Sequence, residues 1–356
     1  KQKIRFYAAL LCSSMVFSLV STPVSAAETG HLTNPPTSTE GPGSPESASG
    51  NEAAAMLNGL YAALPVANGV KEVATAEELT AALADSSISG ITLKGDIDIG
   101  STLTVNRTVT LDLNGNVLKM TGRGSVIKVE SGGNLTIADS NASTPHNFYP
   151  DYKDSAWHID MWKLDDSGSE TVSGGVITGG GGDQSNGGGV LVAGGTLVMA
   201  GGSIVGCSAM SRGGGVCNNG TFIMSDGMIK GCTSPDGQYA SGGGVRNSNQ
   251  FTMTGGMIGD PDNENDASHV YNTSSQETTL TISGNAKIYT DITNVGILNA
   301  DGGEIAGTMT NDTNRYGTGT ITGSEGAAGS TKFQDKVTNN GTIRKGTFTN
   351  EVINES

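Results

Sequence analysis

Three short stretches decide the fold: Gly187-Gly188-Gly189-Val190, Gly213-Gly214-Gly215-Val216 and Gly242-Gly243-Gly244-Val245. The second begins 26 residues after the first, and the third begins 29 residues after the second. Self-similarity at a period of about 20 to 50 residues is typical of solenoids, in which each unit packs only on its neighbours. The spacing therefore predicts a stack of similar coils.

Each unit continues with two apolar residues placed two positions apart, and after a glycine-bearing turn a third strand supplies an isoleucine. The pairs are Leu197 and Met199, Phe222 and Met224, Phe251 and Met253, and Leu280 and Ile282, and the isoleucines are Ile204, Ile229, Ile258 and Ile288. Side chains two apart face the same side of a strand, and equivalent strands of stacked coils lie about 4.8 Å apart. The pattern predicts an all-β parallel β-helix with three strands per coil. A β-sandwich would give alternation without this long-range register.

Asparagines recur at one position of the coil. Asn218, Asn247 and Asn272 each follow by two residues a valine that faces the interior. If these side chains also point inward, their amides can bond to one another along the stack. Stacked asparagines support a fold and do not by themselves imply chemistry.

Cysteines also recur. Cys207 and Cys232 each follow an isoleucine by three residues, so they are predicted to stack on adjacent coils. Two thiols and a disulfide are both compatible with that spacing. Cys217 follows the inward-facing Val216, which predicts an exposed side chain.

The N-terminus is typical of a secretory signal peptide, which we assign to residues 1–26. Lys1, Lys3 and Arg5 precede an apolar run over residues 6–20, and Val24-Ser25-Ala26 provides the small residues of a cleavage site. The run is shorter than the roughly 20 residues that span a bilayer. Cleavage lowers the net charge from −15 to −18, which disfavours nucleic acid and anionic membranes as partners. We expect an extracellular protein, secreted or at the cell surface, with no membrane insertion of the mature chain.

The remaining chain divides by composition. Residues 27–50 are rich in Pro, Ser, Thr and Gly and predict a disordered linker. Residues 51–88 predict a helical N-terminal cap, with one helix over 52–64 and another that begins at Thr75, where Thr75 and Glu78 match a capping box. Residues 89–356 predict the β-helix, interrupted by an insertion at 141–173. Coil sequence persists almost to Ser356, so we expect further chain beyond it.

The glycine-rich units resemble the pectin-lyase-like right-handed parallel β-helix superfamily and are similar to bacterial β-helix adhesins, over roughly residues 89–356. Two enzyme classes of that superfamily carry recognisable site patterns. Polygalacturonase-like hydrolases combine several aspartates with His-Gly and Arg-x-Lys motifs, which this chain lacks, since His269 precedes Val270. Pectate-lyase-like enzymes place an Arg or Lys base beside calcium-binding acids. Arg246 is predicted to point outward between Cys217 and Tyr271, without a carboxylate on its ladder.

The insertion is the leading candidate for a ligand site, because long loops often carry function. Aromatic rings stack on sugars, and neighbouring polar groups bond to hydroxyls. The candidate glycan-binding residues are Tyr149, Tyr152, Trp157, His158, Asp160 and Trp162. The alternative is that the loop forms its own hydrophobic cluster, with Trp157 and Trp162 packed against the outside of the helix.

A run of alternating acids is the second candidate. Asp260, Asp262, Glu264 and Asp266 resemble the start of a calcium loop. An EF-hand would have Gly in place of Asn265 and helices on both sides, so a solvated acidic turn is the alternative. No cofactor other than calcium is indicated.

The leading functional hypothesis is a noncatalytic, adhesin-like binding protein whose partner is a polysaccharide or a host or matrix protein. A polysaccharide lyase or glycoside hydrolase with an unrecognised site is the second hypothesis, and a structural stalk is the third. Fold similarity does not choose among them, because function lies in sites carried by the fold.

Overall fold

The computed structural model describes residues 69–154, 159–182, 186–234, 242–263, 266–273, 278–314, 317–323, 331–344, 347–348 and 351–354. Within them the chain forms a parallel β-helix, and each complete coil has three strands. The predicted fold is therefore confirmed. The predicted signal peptide at 1–26, the predicted linker at 27–50 and the helix predicted over 52–64 lie outside the described residues. Among the described residues, none of the helical structure is both long and apolar enough to cross a bilayer.

The strands form three series, each hydrogen-bonded from coil to coil. The first series contains β4 (Leu103–Val105), β7 (Ile127–Glu130), β13 (Val190–Ala193), β15 (Val216–Asn218), β17 (Val245–Asn247), β20 (Val270–Asn272), β23 (Ile292–Asn294), β26 (Met309–Asn311), β31 (Val337–Asn339) and β34 (Val352–Asn354). The second series contains β1 (Val70–Val73), β2 (Gly90–Leu93), β5 (Thr108–Asp112), β8 (Asn134–Ala138), β18 (Gln250–Met253), β21 (Thr279–Ile282), β24 (Ile297–Ala300), β29 (Thr320–Thr322) and β32 (Thr342–Ile343).

The third series completes each coil. It contains β3 (Ile97–Ile99), β6 (Val117–Met120), β12 (Val176–Thr178), β19 (Met257–Ile258), β22 (Lys287–Ile288), β25 (Glu304–Ile305), β30 (Lys332–Phe333) and β33 (Thr347–Phe348). Two long strands, β14 (Thr196–Val205) and β16 (Thr221–Lys230), run through both the second and the third series. A hairpin of β27 (Thr313–Asn314) and β28 (Gly317–Thr318) projects between β26 and β29.

Like residues meet in the interior, as the repeat predicts. Leu197 pairs in register with Phe222, Phe222 with Phe251, and Phe251 with Leu280, and all four are buried. The rings of Phe222 and Phe251 stack with their centroids 4.5 Å apart and their planes at 9°. In-register stacking excludes water from a thin core that contains few aromatic residues.

The asparagine ladder is confirmed and is longer than the repeat predicts. Each side-chain Nδ2 donates to the Oδ1 of the asparagine on the next coil, from Asn218 through Asn247, Asn272, Asn294, Asn311 and Asn339 to Asn354, at 2.7 to 2.9 Å. The same amides also donate to backbone carbonyls, as Asn247 does to Thr279 at 3.0 Å. The buried amides are thereby satisfied inside the core.

A helix lies beside the first strands. Helix α1 (Ala76–Ala84) begins after Thr75, whose hydroxyl accepts from the Glu78 N–H at 3.2 Å. The Glu78 carboxylate accepts from the Ala74 N–H instead of from Thr75 as in a regular capping box. At the other end, the Arg107 guanidinium donates to the carbonyls of Ala82 and Leu83, both at 2.8 Å. These bonds satisfy carbonyls that every helix end leaves free.

The three cysteines among the described residues, Cys207, Cys217 and Cys232, are free thiols and are buried. Burial, and then the neighbouring Cys207 thiol, raise the pKa of Cys232 well above its usual range. The prediction that Cys217 is exposed was wrong, because its side chain is 1% exposed. It does not face the interior, but Leu191 and Arg246 flank it in register on the adjacent coils and cover the small thiol.

Candidate functional site

The insertion forms a small antiparallel sheet that leaves the β-helix after β8 and returns to it at β12. Its strands are β9 (Pro145–Asp154), β10 (Ile159–Leu164) and β11 (Glu170–Ser173), with β9 in the centre. The Asp139 carboxylate fixes the base of this inserted sheet by accepting from the Gly115 N–H at 2.7 Å and the Gly175 N–H at 2.8 Å. The His146 Nε2 lies 3.0 Å from the carbonyl oxygen of Gly115. The sheet is thus tied to the coils at its root.

One face of the inserted sheet packs on the outside of the third strand series. Outward-facing valines of three successive coils meet aromatic and aliphatic side chains of the sheet in one cluster, which comprises Val117, Val176, Val205, Phe148, Trp162 and Val172. Phe148 is fully buried and Trp162 is 2% exposed, with their ring centroids 6.4 Å apart. Trp162 therefore packs against the outside of the β-helix, as the alternative interpretation of the insertion predicts, and its ring is not open to a sugar.

The opposite face of the inserted sheet is exposed and polar around one aromatic ring. Tyr149 is 53% exposed and is paired in register with Lys163 of β10. On the neighbouring pair of strands, the Thr171 hydroxyl donates to the Asn147 side-chain oxygen at 3.1 Å. We call Asn147, Tyr149, Lys163 and Thr171 the tyrosine face. It combines a flat ring with amide, hydroxyl and ammonium groups.

The other predicted glycan residues are only partly placed. Tyr152 lies in β9 and Asp160 lies in β10, but their side chains are outside the described part of the structure. Trp157 and His158 lie outside the described residues altogether. Of the six predicted residues, the structure therefore places the side chains of Tyr149 and Trp162, on opposite faces of the sheet.

A buried lysine joins the insertion to the acidic turn. Lys230 lies at the end of β16 and pairs in register with Val205 of the preceding coil, on the outer side of the third series. Its Nζ lies 3.1 Å from Asp260 Oδ2 and 4.4 Å from the centroid of the Trp162 ring. The two charged side chains are only 9% and 5% exposed. The insertion and the acidic turn, which look like separate candidate sites in the sequence, thus both contact Lys230, whose role the sequence does not indicate.

The next residue makes backbone contacts to the same two segments. The Gly231 carbonyl accepts from the Trp162 N–H at 3.5 Å, and the Gly231 N–H donates to Asp266 Oδ1 at 3.1 Å. A Cβ on Gly231 would lie 2.3 Å from Cγ of Trp162. Only glycine leaves room for the indole here, and its φ of +59° also favours glycine.

The acidic turn holds its described carboxylates in different surroundings. Asp260 is paired with Lys230, Asp262 is exposed, and Glu264 lies outside the described residues. Burial raises the pKa of Asp266 above its usual range, although N–H and O–H groups of Ser268 and Gly231 act in the opposite direction. In the part of the chain that is described, no three His, Cys, Asp or Glu side chains are grouped so that they could hold a metal.

Arg246 occupies the ladder position that its place in the repeat predicts. Its register partners are Cys217 and Tyr271. The guanidinium carbon lies 5.5 Å from the centroid of the Tyr271 ring, and burial lowers the pKa of the half-buried side chain. Its setting is a cation–π stack on the outer face of the first series.

One comparison with known proteins gives a match to the first part of the β-helix. Residues 70–172 match a pectate lyase-like adhesive domain. The matched range begins at β1 and ends in β11, so it includes helix α1, the first coils and nearly all of the inserted sheet. No curated protein and no solved structure was found to match the chain. The resemblance to β-helix adhesins is thereby confirmed for this range, and it indicates an adhesive protein that binds some partner.

Proposed function

We propose that this chain is an exported, noncatalytic adhesive protein that binds a glycan through the tyrosine face. The match of residues 70–172 to an adhesive domain carries the proposal, because that range contains all four residues of the face. An exposed aromatic ring beside hydroxyl, amide and ammonium groups suits a sugar, whose apolar ring face stacks while its hydroxyls accept and donate hydrogen bonds.

The packing of the inserted sheet supports the same assignment. Because its inner face is buried against the β-helix, the sheet presents its outer face on a rigid base. Among the described residues, Tyr149 and Val70 are the large hydrophobic side chains that remain exposed. Val70 lies in β1, outside the inserted sheet, which leaves Tyr149 as the aromatic residue of this face available to a partner.

A glycan array probed with the purified mature chain tests the proposal. We expect wild type to bind a subset of polysaccharides and Tyr149→Ala to lose affinity by at least about tenfold, as a central contact residue does. Tyr149→Phe keeps the ring and is expected to retain most of the affinity. Tyr289→Ala removes a half-buried tyrosine in a later coil and serves as the matched control.

Four results would overturn parts of the proposal. Absence of glycan binding by wild type would remove the glycan, and Tyr149-dependent binding to an immobilised matrix protein would replace it with a protein partner. Release of unsaturated or reducing sugar from a bound polysaccharide would overturn the noncatalytic assignment. Failure of antibodies to label the protein on intact cells or in the medium would overturn export.

A further inference from the structure

We infer that Asp260 of the acidic turn sets the placement of the tyrosine face, and that Lys230 is the positioning residue through which it does so. The inference rests on the proposed function of that face. It assigns a role to Lys230, which contacts both Trp162 of the inserted sheet and Asp260 of the turn. Neither Lys230 nor Asp260 needs to touch the ligand.

The charges of Lys230 and Asp260 are buried. Lys230 and Asp260 are 9% and 5% exposed, so each charge is largely removed from water and depends on the other. A buried charge that loses its partner is costly, because the interior does not replace its hydration. Without the Asp260 charge, the Lys230 ammonium group is therefore expected to move from its buried position toward water.

Lys230 also contacts the inserted sheet through Trp162. Its ammonium group lies 4.4 Å from the centroid of the Trp162 ring, within the range of a cation–π interaction that strengthens when water is excluded. Trp162 belongs to β10, and the next residue along that strand is Lys163 of the tyrosine face. Movement of Lys230 therefore removes a contact from the strand that carries part of the face.

Backbone hydrogen bonds of Gly231 link the end of β16 to the same two segments. Gly231 bonds to Trp162 through its carbonyl and to Asp266 through its N–H, so the β16 end lies between the sheet and the turn. Asp266 also accepts from the Ser268 N–H at 2.9 Å. The turn, the end of β16 and the inserted sheet thus form one continuous set of contacts.

Hydrogen–deuterium exchange of the full mature chain tests this coupling without any ligand. In both Asp260→Asn and Lys230→Met, we expect the amides of β9–β11 to exchange at least about tenfold faster than in wild type. Lys230→Arg should stay within about threefold, because a guanidinium can both pair with Asp260 and stack on Trp162. Lys287→Met removes an exposed lysine from the same strand series and should leave β9–β11 unchanged.

The outcomes separate this inference from the proposed function. Unchanged exchange of β9–β11 in Asp260→Asn would overturn it, and so would equally raised exchange in the distant coils β23–β26, which would indicate general destabilisation. Lys230→Arg, which should fold, would also count against it if its β9–β11 exchange rose as much as that of Lys230→Met. Raised exchange together with no glycan binding by wild type would support the coupling and overturn the glycan assignment instead.

Discussion

The carboxyl group of Asp266 lies where the acidic turn meets the end of β16. Burial raises its pKa above the ordinary 3.8, so the folded protein binds this proton more tightly than the unfolded chain does. The contribution of such a group to folding is fully present below the unfolded pKa and is lost as pH rises through the folded pKa. At neutral pH the buried, ionised carboxylate therefore destabilises the folded state, and its N–H donors reduce that destabilisation.

Asp266→Asn should remove this pH dependence. The amide oxygen can still accept from Gly231 or Ser268, while the titration disappears. We expect the variant to gain stability relative to wild type as pH rises from about 4 to about 7. Urea denaturation at several pH values measures the difference in the free energy of unfolding. Asp262→Asn, at an exposed carboxyl, is the control, and a difference that shrinks or reverses with rising pH would contradict the prediction.

For single residues, the sequence suggests which side chains could form a site, but it does not predict which neighbours surround them in the fold. The spacing of Asp260, Asp262 and Asp266 suggested calcium ligands, yet it gave no sign that Lys230 pairs with Asp260. That contact depends on which residue of the preceding coil lies beside the turn. Alternation also gave the direction of Cys217 correctly but not its burial, which comes from its ladder neighbours.

Among the elements, the asparagine ladder offers a direct test of buried hydrogen bonding. Asn272→Ala removes the acceptor of Asn247 Nδ2 and the donor to Asn294 Oδ1, leaving both neighbours incompletely paired. Loss of buried hydrogen bonds with unsatisfied partners costs about 1 to 3 kcal/mol or more. Thermal or urea unfolding should show that loss, whereas Asn219→Ala, at an exposed asparagine, should change stability by less than about 0.5 kcal/mol. Equal effects of the two substitutions would contradict a structural role for the ladder.

The contact between Trp162 and the end of β16 can be tested at its glycine. Gly231→Ala adds a Cβ that would lie 2.3 Å from the indole, in addition to the strain of a positive φ. Gly132→Ala imposes a comparable backbone strain at φ +84°, but nothing lies within 4 Å of its Cβ. We expect Gly231→Ala alone to raise proteolytic cleavage within β9–β11. Similar cleavage in both variants would show that backbone strain, and not the lost space for Trp162, is responsible.

The strands were predictable because each coil repeats the same physical requirement for inward apolar side chains. The sequence did not predict Asn294, Asn311, Asn339 and Asn354, because from Asn272 onward the ladder residues are 22, 17, 28 and 15 residues apart and no constant period marks their register. The inserted sheet is different. Its aromatic residues indicated either a sugar site or a cluster, and only the pairing of β9 with β10 shows that Tyr149 and Trp162 lie on opposite faces.

In the molecule as a whole, coils contact mainly their neighbours, so stability is expected to be nearly a sum of local terms. The two stacked phenylalanine pairs make this testable at separate places. Phe251 stacks on Phe222, and Phe333 stacks on Phe348 with centroids 4.8 Å apart. Loss of a buried phenylalanine ring costs about 3 to 5 kcal/mol, partly through the cavity that it leaves.

Hydrogen–deuterium exchange should locate each loss. Phe251→Ala is expected to accelerate exchange in β16, β18 and β21. Exchange in β2–β8 should stay within about twofold of wild type, because each coil contacts mainly its neighbours and the cavity destabilises only the coils around it. Phe333→Ala is the matched variant and should act on β29–β33 instead. If either substitution raised exchange uniformly from β2 to β33, the coils would unfold as one cooperative unit. The inserted sheet could not then respond to the acidic turn independently of the stack that carries both.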